Sequence, residues 1–189
     1  MATATRKTAK APSKPVPRKA PVKVPPTQEA TALLRADHKR VSALFEQYEK
    51  TRSDARKKAL VADICMELGI HAQVEEEIFY PAVKAALKDK ELVPEATVEH
   101  ATLKELIAQV EGKEPDGEMF DAKIKVMSEY VKHHVKEEQT AMFPKARKTK
   151  LDMQALGAQI AARKAELKAS WPSATEKPSL LARLAEAVA

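Results

Sequence analysis

The stretch His71–Pro81, HAQVEEEIFYP, returns in altered form as His134–Pro144, HVKEEQTAMFP. Three positions coincide in the two copies: His71 with His134, Glu75 with Glu138, and Pro81 with Pro144. An aromatic residue, Tyr80 or Phe143, precedes each proline. On an α-helix, residues four apart lie one above the other, so each copy turns an imidazole and a carboxylate toward one point in space. That duplicated HxxxE pair is the fixed point from which the rest of the chain is read.

Composition narrows the fold. The 189 residues suffice for one domain with tails and a substantial core. Only 4 glycines, 4% aromatic residues and abundant Ala, Lys, Glu and Leu favour helices over sheets. Cys65 is the lone cysteine, which excludes an intramolecular disulfide and suits a reducing compartment. No apolar run approaches the ~18 residues of a transmembrane span. The N-terminus lacks the apolar stretch of a secretory signal, so a cytoplasmic location is expected. The net charge of +6 is unevenly spread. Residues 1–28 hold seven Lys or Arg and no acid, leaving 26 basic against 27 acidic residues elsewhere. Residues 1–28 therefore read as a disordered tail of Lys, Pro and Ala, too poor in apolar surface to offset the entropy of ordering. Such a tail can bind DNA, RNA or another polyanion through counterion release.

From Thr27, taken as an N-cap, helical periodicity begins. Residues 29–148 read as four amphipathic helices. Leu34, His38, Val41, Phe45 and Tyr48 recur at alternating four and three in the first. Ser53 caps the second, whose inward register is Leu60, Ile64, Leu68, His71, Glu75, Ile78 and Ala82, with a kink expected at Pro81. The third runs from about Pro94 to Val110, with Ala96, His100, Leu103 and Ile107 in register. EGKEPDG is a turn, and the fourth helix carries Phe120, Ile124, Met127, Val131, His134, Glu138 and Ala141, with a matching kink at Pro144. Short breaks between helices predict an antiparallel up-and-down four-helix bundle, an all-α fold. Residues 149–189 read as a helical extension, with Met153, Leu156, Ile160 and Leu167 as a stripe expected to pack onto the bundle rather than serve as a partner or membrane-surface helix. SWPSATEKP breaks it before a last short stretch with Leu180, Leu181, Leu184 and Val188.

His38, His71, His100 and His134 each take an inward position, one per helix, and their spacing lets all four rings meet at one level. Glu75 and Glu138 add two carboxylates. Buried charges are costly unless paired or bound to metal, and no Arg or Lys shares the inward register beside them. Six nitrogen and oxygen ligands without a thiolate exceed one tetrahedral zinc and suit two metals bridged by the carboxylates. Imidazole with carboxylate suits iron, with manganese and zinc as alternatives. His134 rather than His133 is the expected ligand, because His133 is rotated about 100° off the inward register. The Glu-x-x-His pair of ferritin-like di-iron bundles is absent.

Taken together, Asp37-His38, HAQVEEEIFYP, Glu99-His100 and HHVKEEQTAMFP make residues 29–148 resemble the hemerythrin family, in its HHE cation-binding branch. The resemblance implies a four-helix bundle around a non-haem di-iron centre with an oxo or hydroxo bridge. The matching ligands are His38, His71, Glu75, His100, His134 and Glu138. Two departures separate the chain from oxygen-carrying hemerythrins: Lys104 stands where they have a second third-helix histidine, and HxxxE replaces their final His and Asp. The expected function is therefore binding, sensing or handling of oxygen, nitric oxide, reactive oxygen species or iron, as in oxidative or nitrosative stress. One alternative is a di-iron enzyme that turns over peroxide or nitric oxide. Another is a polyanion- or DNA-binding protein that acts through its basic tail.

Overall fold

The computed structural model describes residues 28–88 and 90–172. The basic tail and the stretch containing Leu180, Leu181, Leu184 and Val188 lie outside the described residues, as does Thr27. The first helix is capped instead by Glu29, whose carboxylate accepts from the Thr31 backbone N–H at 3.1 Å and from its hydroxyl at 2.6 Å. Helix α1 spans Ala30–Lys50. Ser53 caps α2, Asp54–Val74, accepting from the Arg56 N–H. A π turn, Glu75–Phe79, joins α2 to α3, Tyr80–Leu87. Helix α4 is Leu92–Ala108 and α5 is Glu118–Glu137. A second π turn, Glu138–Met142, leads into α6, Phe143–Arg147, and α7 spans Met153–Ala169.

The expected kinks at Pro81 and Pro144 take the form of these π turns. Proline has no N–H to give the carbonyl four residues back, and its ring crowds that carbonyl. The backbone responds by widening one turn. Tyr80 N–H reaches Glu75 O, and Phe143 N–H reaches Glu138 O, five residues back. The extra residue shifts the inward register by one. Phe79 and Val83 are buried where Ile78 and Ala82 were expected, and Met142 and Ala146 are buried in place of Ala141. Both prolines end exposed on the outer face.

Contacts between ends show the chain direction. Tyr48, late in α1, donates to Asp121, early in α5, at 2.6 Å, and Lys57, early in α2, reaches the same carboxylate at 2.7 Å. Arg35, early in α1, reaches Gln139 beyond α5. Neighbouring rods are therefore antiparallel. Helix α7 lies along α1 and α2, with Lys164 against Asp37, Arg163 against Glu77 and Lys168 against Glu67. It runs parallel to α1 and antiparallel to α2.

Two apolar clusters fill the bundle. One gathers Val41, Phe45, Ile64, Leu68, Leu103, Ile124 and Val131. The other gathers Leu34, Val74, Phe79, Val93, Ala96, Met142, Phe143 and Ile160. Phe79 and Phe143 meet edge to face at 5.5 Å, an arrangement that adds about 0.5–1.5 kcal/mol beyond area burial. Each of the four inward histidines falls between a residue of one cluster and a residue of the other, as His38 does between Leu34 and Val41. The polar site is thus a layer across the middle of the bundle.

Gly157 sets how closely α7 can approach. A Cβ there would lie 2.2 Å from Gln28 O and 3.0 Å from Ala30 N, both backbone atoms. Gly157→Ala should destabilise the protein by roughly 1–3 kcal/mol through overpacking, read as a lower urea midpoint with unchanged slope. An unchanged midpoint would show that α7 does not hold the start of α1.

Candidate metal centre

Each HxxxE pair straddles the junction where an α-helix enters its π turn. His71 and His134 sit in the last turn of their helices, and Glu75 and Glu138 open the wider turns. With His38 from α1 and His100 from α4, the four rings converge, and all six side chains are buried. His38 Nε2 lies 3.0 Å from His71 Nε2, and His100 Nε2 lies 3.2 Å from His134 Nε2. The carboxylates lie across these two pairs. Glu75 Oε2 is 3.1 Å from His71 Nε2 and 3.5 Å from His100 Nε2. Glu138 Oε2 is 3.2 Å from His38 Nε2 and 3.7 Å from His134 Nε2. Each glutamate therefore touches one histidine of each pair.

A carboxylate backs three of the four rings. His71 Nδ1 faces Asp37 at 3.4 Å, His100 Nδ1 faces Glu76 at 3.0 Å, and His134 Nδ1 faces Glu99 at 2.6 Å. Gln139 stands behind His38, with 2.9 Å between its amide nitrogen and Nδ1. A carboxylate at Nδ1 holds the proton there and leaves the Nε2 lone pair pointing inward. Two of the carboxylates are in turn held by lysines. Lys164 of α7 pairs with Asp37, and Lys104 of α4 places Nζ 2.7 Å from both oxygens of Glu76. The inward register does lack cations, but two reach the site's outer side from neighbouring positions. Lys104 faces an orienting carboxylate and is not among the converging atoms.

Tyr80 belongs to the site, and sequence reasoning missed it. Its phenol donates to Glu138 Oε1 at 2.9 Å and lies 3.2 Å from His100 Nε2. The signal was the single difference between the aromatic partners of the two prolines, since only Tyr80 has a polar tip to place and Phe143 has none. Asp37, Glu76 and Glu99 were present in the quoted motifs without a role; their part emerges only when the helices are packed.

The electrostatics describe crowded lone pairs. Burial pushes the Glu75 carboxyl well above the ordinary range, and the charge of Glu138 pushes the same way. Burial also opposes ionisation of Glu138, but the nearby His38 ring and the charges of His134 and His71 outweigh it and hold that group down at about 2. Burial, with repulsion from His38, lowers His71 to about 4. Burial lowers His100 too, whereas at His134 the hydrogen bond to Glu99 and the carboxylate charges overcome burial and raise it. The Tyr80 phenol is kept protonated by burial and by the charges of Glu75 and Glu138.

These residues fit a bound cation. Glu75 Oε1 and Glu138 Oε2 are buried without a hydrogen bond, a costly state for a carboxylate oxygen. His100 Nε2 and His134 Nε2, on rings whose protons are held by carboxylates at Nδ1, face one another at 3.2 Å, which repels unless a positive charge lies between. The ligand atoms fall into two groups, His38, His71, Glu75 and Glu138, then Glu75, His100 and His134, with Glu75 common to both.

Buried imidazoles and carboxylates across the middle of an antiparallel bundle fit the class of cation-binding helical bundles. The family model for the Hemerythrin HHE cation binding domain matches residues 29–146, and the chain belongs to that family. The solved structure of a Hemerythrin HHE cation binding domain-containing protein from Mycobacterium kansasii has the same fold. It superposes with a TM-score of 0.64 at 23% identity, covering 76% of this chain and 89% of that one. A DNA nickase from Nostoc sp. is 25% identical over 111 residues, 59% of this chain and 31% of the relative. The chain thus spans about a third of the length of that relative. No helix among the described residues is long and apolar enough to cross a membrane.

Lys164 supplies a test of the support behind His71. Asp37 is buried, and His71 and Lys164 outweigh that burial to hold its pKa below the usual value. Lys164→Ala should cost about 1–3 kcal/mol near neutral pH, the worth of a hydrogen bond to a charged group. A depressed carboxylate stabilises above its unfolded pKa, and the contribution fades as pH falls through the folded one. The difference between wild type and variant should therefore shrink below the normal Asp range near ~3.9. Denaturant melts across pH would show it, and a gap that widens on acidification would contradict the assignment.

Proposed function

We propose that the protein holds two iron ions among His38, His71, Glu75, His100, His134 and Glu138. Through them it binds, senses or handles oxygen, nitric oxide, peroxide or iron itself. The observation behind this reading is that Glu75 and Glu138 each lie within 4 Å of one histidine of each pair, and that Glu75 belongs to both groups of ligand atoms, an arrangement that would suit two metals. Manganese and zinc share these donor types; zinc has no redox chemistry to offer oxidants, and manganese is the alternative to iron. When bound, iron supplies the change of oxidation state and the exchangeable position that a diatomic molecule or peroxide needs.

The chain's own residues do the rest. Asp37, Glu76 and Glu99 keep the protons of His71, His100 and His134 on Nδ1, so the Nε2 atoms stay available as ligands. Tyr80 keeps its proton at the phenol oxygen, beside Glu138 Oε1 and His100 Nε2, where the O–H can serve as a hydrogen-bond donor at the site. The two apolar clusters keep bulk water from the layer. A surface cleft of about 460 Å³, lined in part by Glu76, Tyr80, Lys84, Val93, Thr97 and Lys104, opens on the outer side of the layer beside Tyr80. Turnover of peroxide or nitric oxide at this site is the enzymatic form of the same proposal.

Metal analysis of the purified full-length chain should find two irons. His134→Ala should lose one or both and His133→Ala neither, since His134 is buried and His133 is 62% exposed. Equal loss in the two variants would sink the ligand assignment. Exposed to air, the ferrous protein should oxidise and return only with a reductant, because hard anionic carboxylates favour the ferric state. A spectrum that reverts on merely removing oxygen would make it a carrier.

Segregated charge supports a second reading, in which residues 1–28, with seven basic residues and no acid, bind a polyanion such as DNA. The name of the Nostoc relative is compatible with it. Removing residues 1–26 should abolish salt-sensitive DNA binding and leave the iron content unchanged. Binding that survives the truncation would put the basic surface elsewhere.

A further inference from the structure

On α5, one turn apart, His133 and Glu137 face outward, and Glu99 of α4 comes up beside them. His133 Nε2 lies 3.3 Å from Glu137 Oε1 and 3.8 Å from Glu99 Oε1. One ligand atom from each of the three lies within 4.8 Å of the others. Glu99 is the member that gives the cluster meaning. It is only 9% exposed, its Oε2 is committed to His134 Nδ1, and its Oε1 accepts no hydrogen bond among the described residues. The other two orienting carboxylates each have a lysine, Asp37 with Lys164 and Glu76 with Lys104. No Lys or Arg of the described residues lies within ion-pair distance of Glu99. An imidazole and a second carboxylate stand in the lysine's place.

We propose that Glu99, His133 and Glu137 form an outer site for a divalent transition-metal ion, and that the buried centre is loaded through it. A bound cation would do for Glu99 what the lysines do for Asp37 and Glu76. One nitrogen and two carboxylate oxygens suit Fe2+, Mn2+ or Zn2+, whereas Ca2+ and Mg2+ prefer oxygen alone. The exposure of His133 leaves room for water on the ion, so the outer site holds its metal more weakly and exchanges it faster than a buried one. Glu99 joins the two sites through one carboxylate, with Oε1 turned to the outer cluster and Oε2 to a ring of the inner one. The loading role rests on the reading of the inner layer as a metal centre; the outer site stands on its own donors.

The test uses metal-stripped, full-length protein titrated with Mn2+, with free ion followed by electron paramagnetic resonance, and anaerobic Fe2+ uptake followed by stopped flow. Wild type should bind a third, weaker ion beyond the two in the buried centre. The double variant His133→Ala, Glu137→Gln should lose that ion, keep the inner two, and load Fe2+ about tenfold more slowly, as removal of a local cation-concentrating cluster implies. Both substitutions lie at exposed or half-buried positions, and an unchanged circular dichroism spectrum checks that the fold is intact. A surface ion pair of protonated His133 with the two carboxylates would instead give equal stoichiometry in the two proteins. Equal stoichiometry or equal loading rates would overturn the proposal. His71→Ala separates it from the inner reading: it should remove tight binding and spare the weak ion. If tight binding survives that substitution, the failure belongs to the buried centre.

Discussion

The convergence of lone pairs at the middle of the bundle is the constraint that the surrounding structure answers. Four imidazoles and two carboxylates are withdrawn from water in a layer bounded above and below by apolar side chains. Such a layer holds together only if each ring is fixed in one tautomer and each charge meets another. The carboxylates of Asp37, Glu76 and Glu99 fix three of the rings, and the Gln139 amide stands behind the fourth, His38. Lys164 and Lys104 then steady two of those carboxylates from outside. Polar support therefore extends outward in shells, while the apolar clusters keep the inner shell dry.

The two halves of the layer are built alike without being identical. Both HxxxE pairs meet a widened turn forced by a proline six residues after the glutamate, and both turns bring a buried aromatic ring back over the site. One of those rings is a tyrosine and the other a phenylalanine. The phenol of Tyr80 breaks the near-symmetry by adding a proton donor beside Glu138 and His100, on the side where the α3–α4 cleft comes in. On the other side, the Phe143 ring instead stacks against His38. A small molecule arriving at the layer would therefore meet two chemically different flanks.

Much of this was legible in the sequence because the strongest signals are periodic. Leu34, His38, Val41, Phe45 and Tyr48 spell out a helix face that is buried as read, and the spacing of the four histidines places them at one level. Registers past Glu75 and Glu138 were misread because a proline says that a helix must yield without saying how; a kink leaves the inward face where it was, and a π turn advances it by a residue. Tyr80 was hidden for the same reason, since an α-helical count turns it away from the layer. The pairings of the lysines could not be seen: Lys104 stood out only as a departure from a histidine, and its bond to Glu76 crosses between helices. Lys164 lies far along the chain from Asp37, and nothing local in either segment marks the pairing. Sequence patterns report what each helix turns inward; what reaches the site from an adjacent helix depends on packing.

The position of Lys164 bears on what counts as one module. The match to the family ends at residue 146, yet the charge that steadies Asp37 comes from α7, Met153–Ala169. A boundary drawn at the edge of the recognised segment would pass between a histidine's support and the lysine that completes it. Cut there, the chain would keep every inward histidine and glutamate and lose part of what aims them. The recognised segment stops one helix short of Lys164, and a graft or fusion that left that helix behind would leave Asp37 without its lysine.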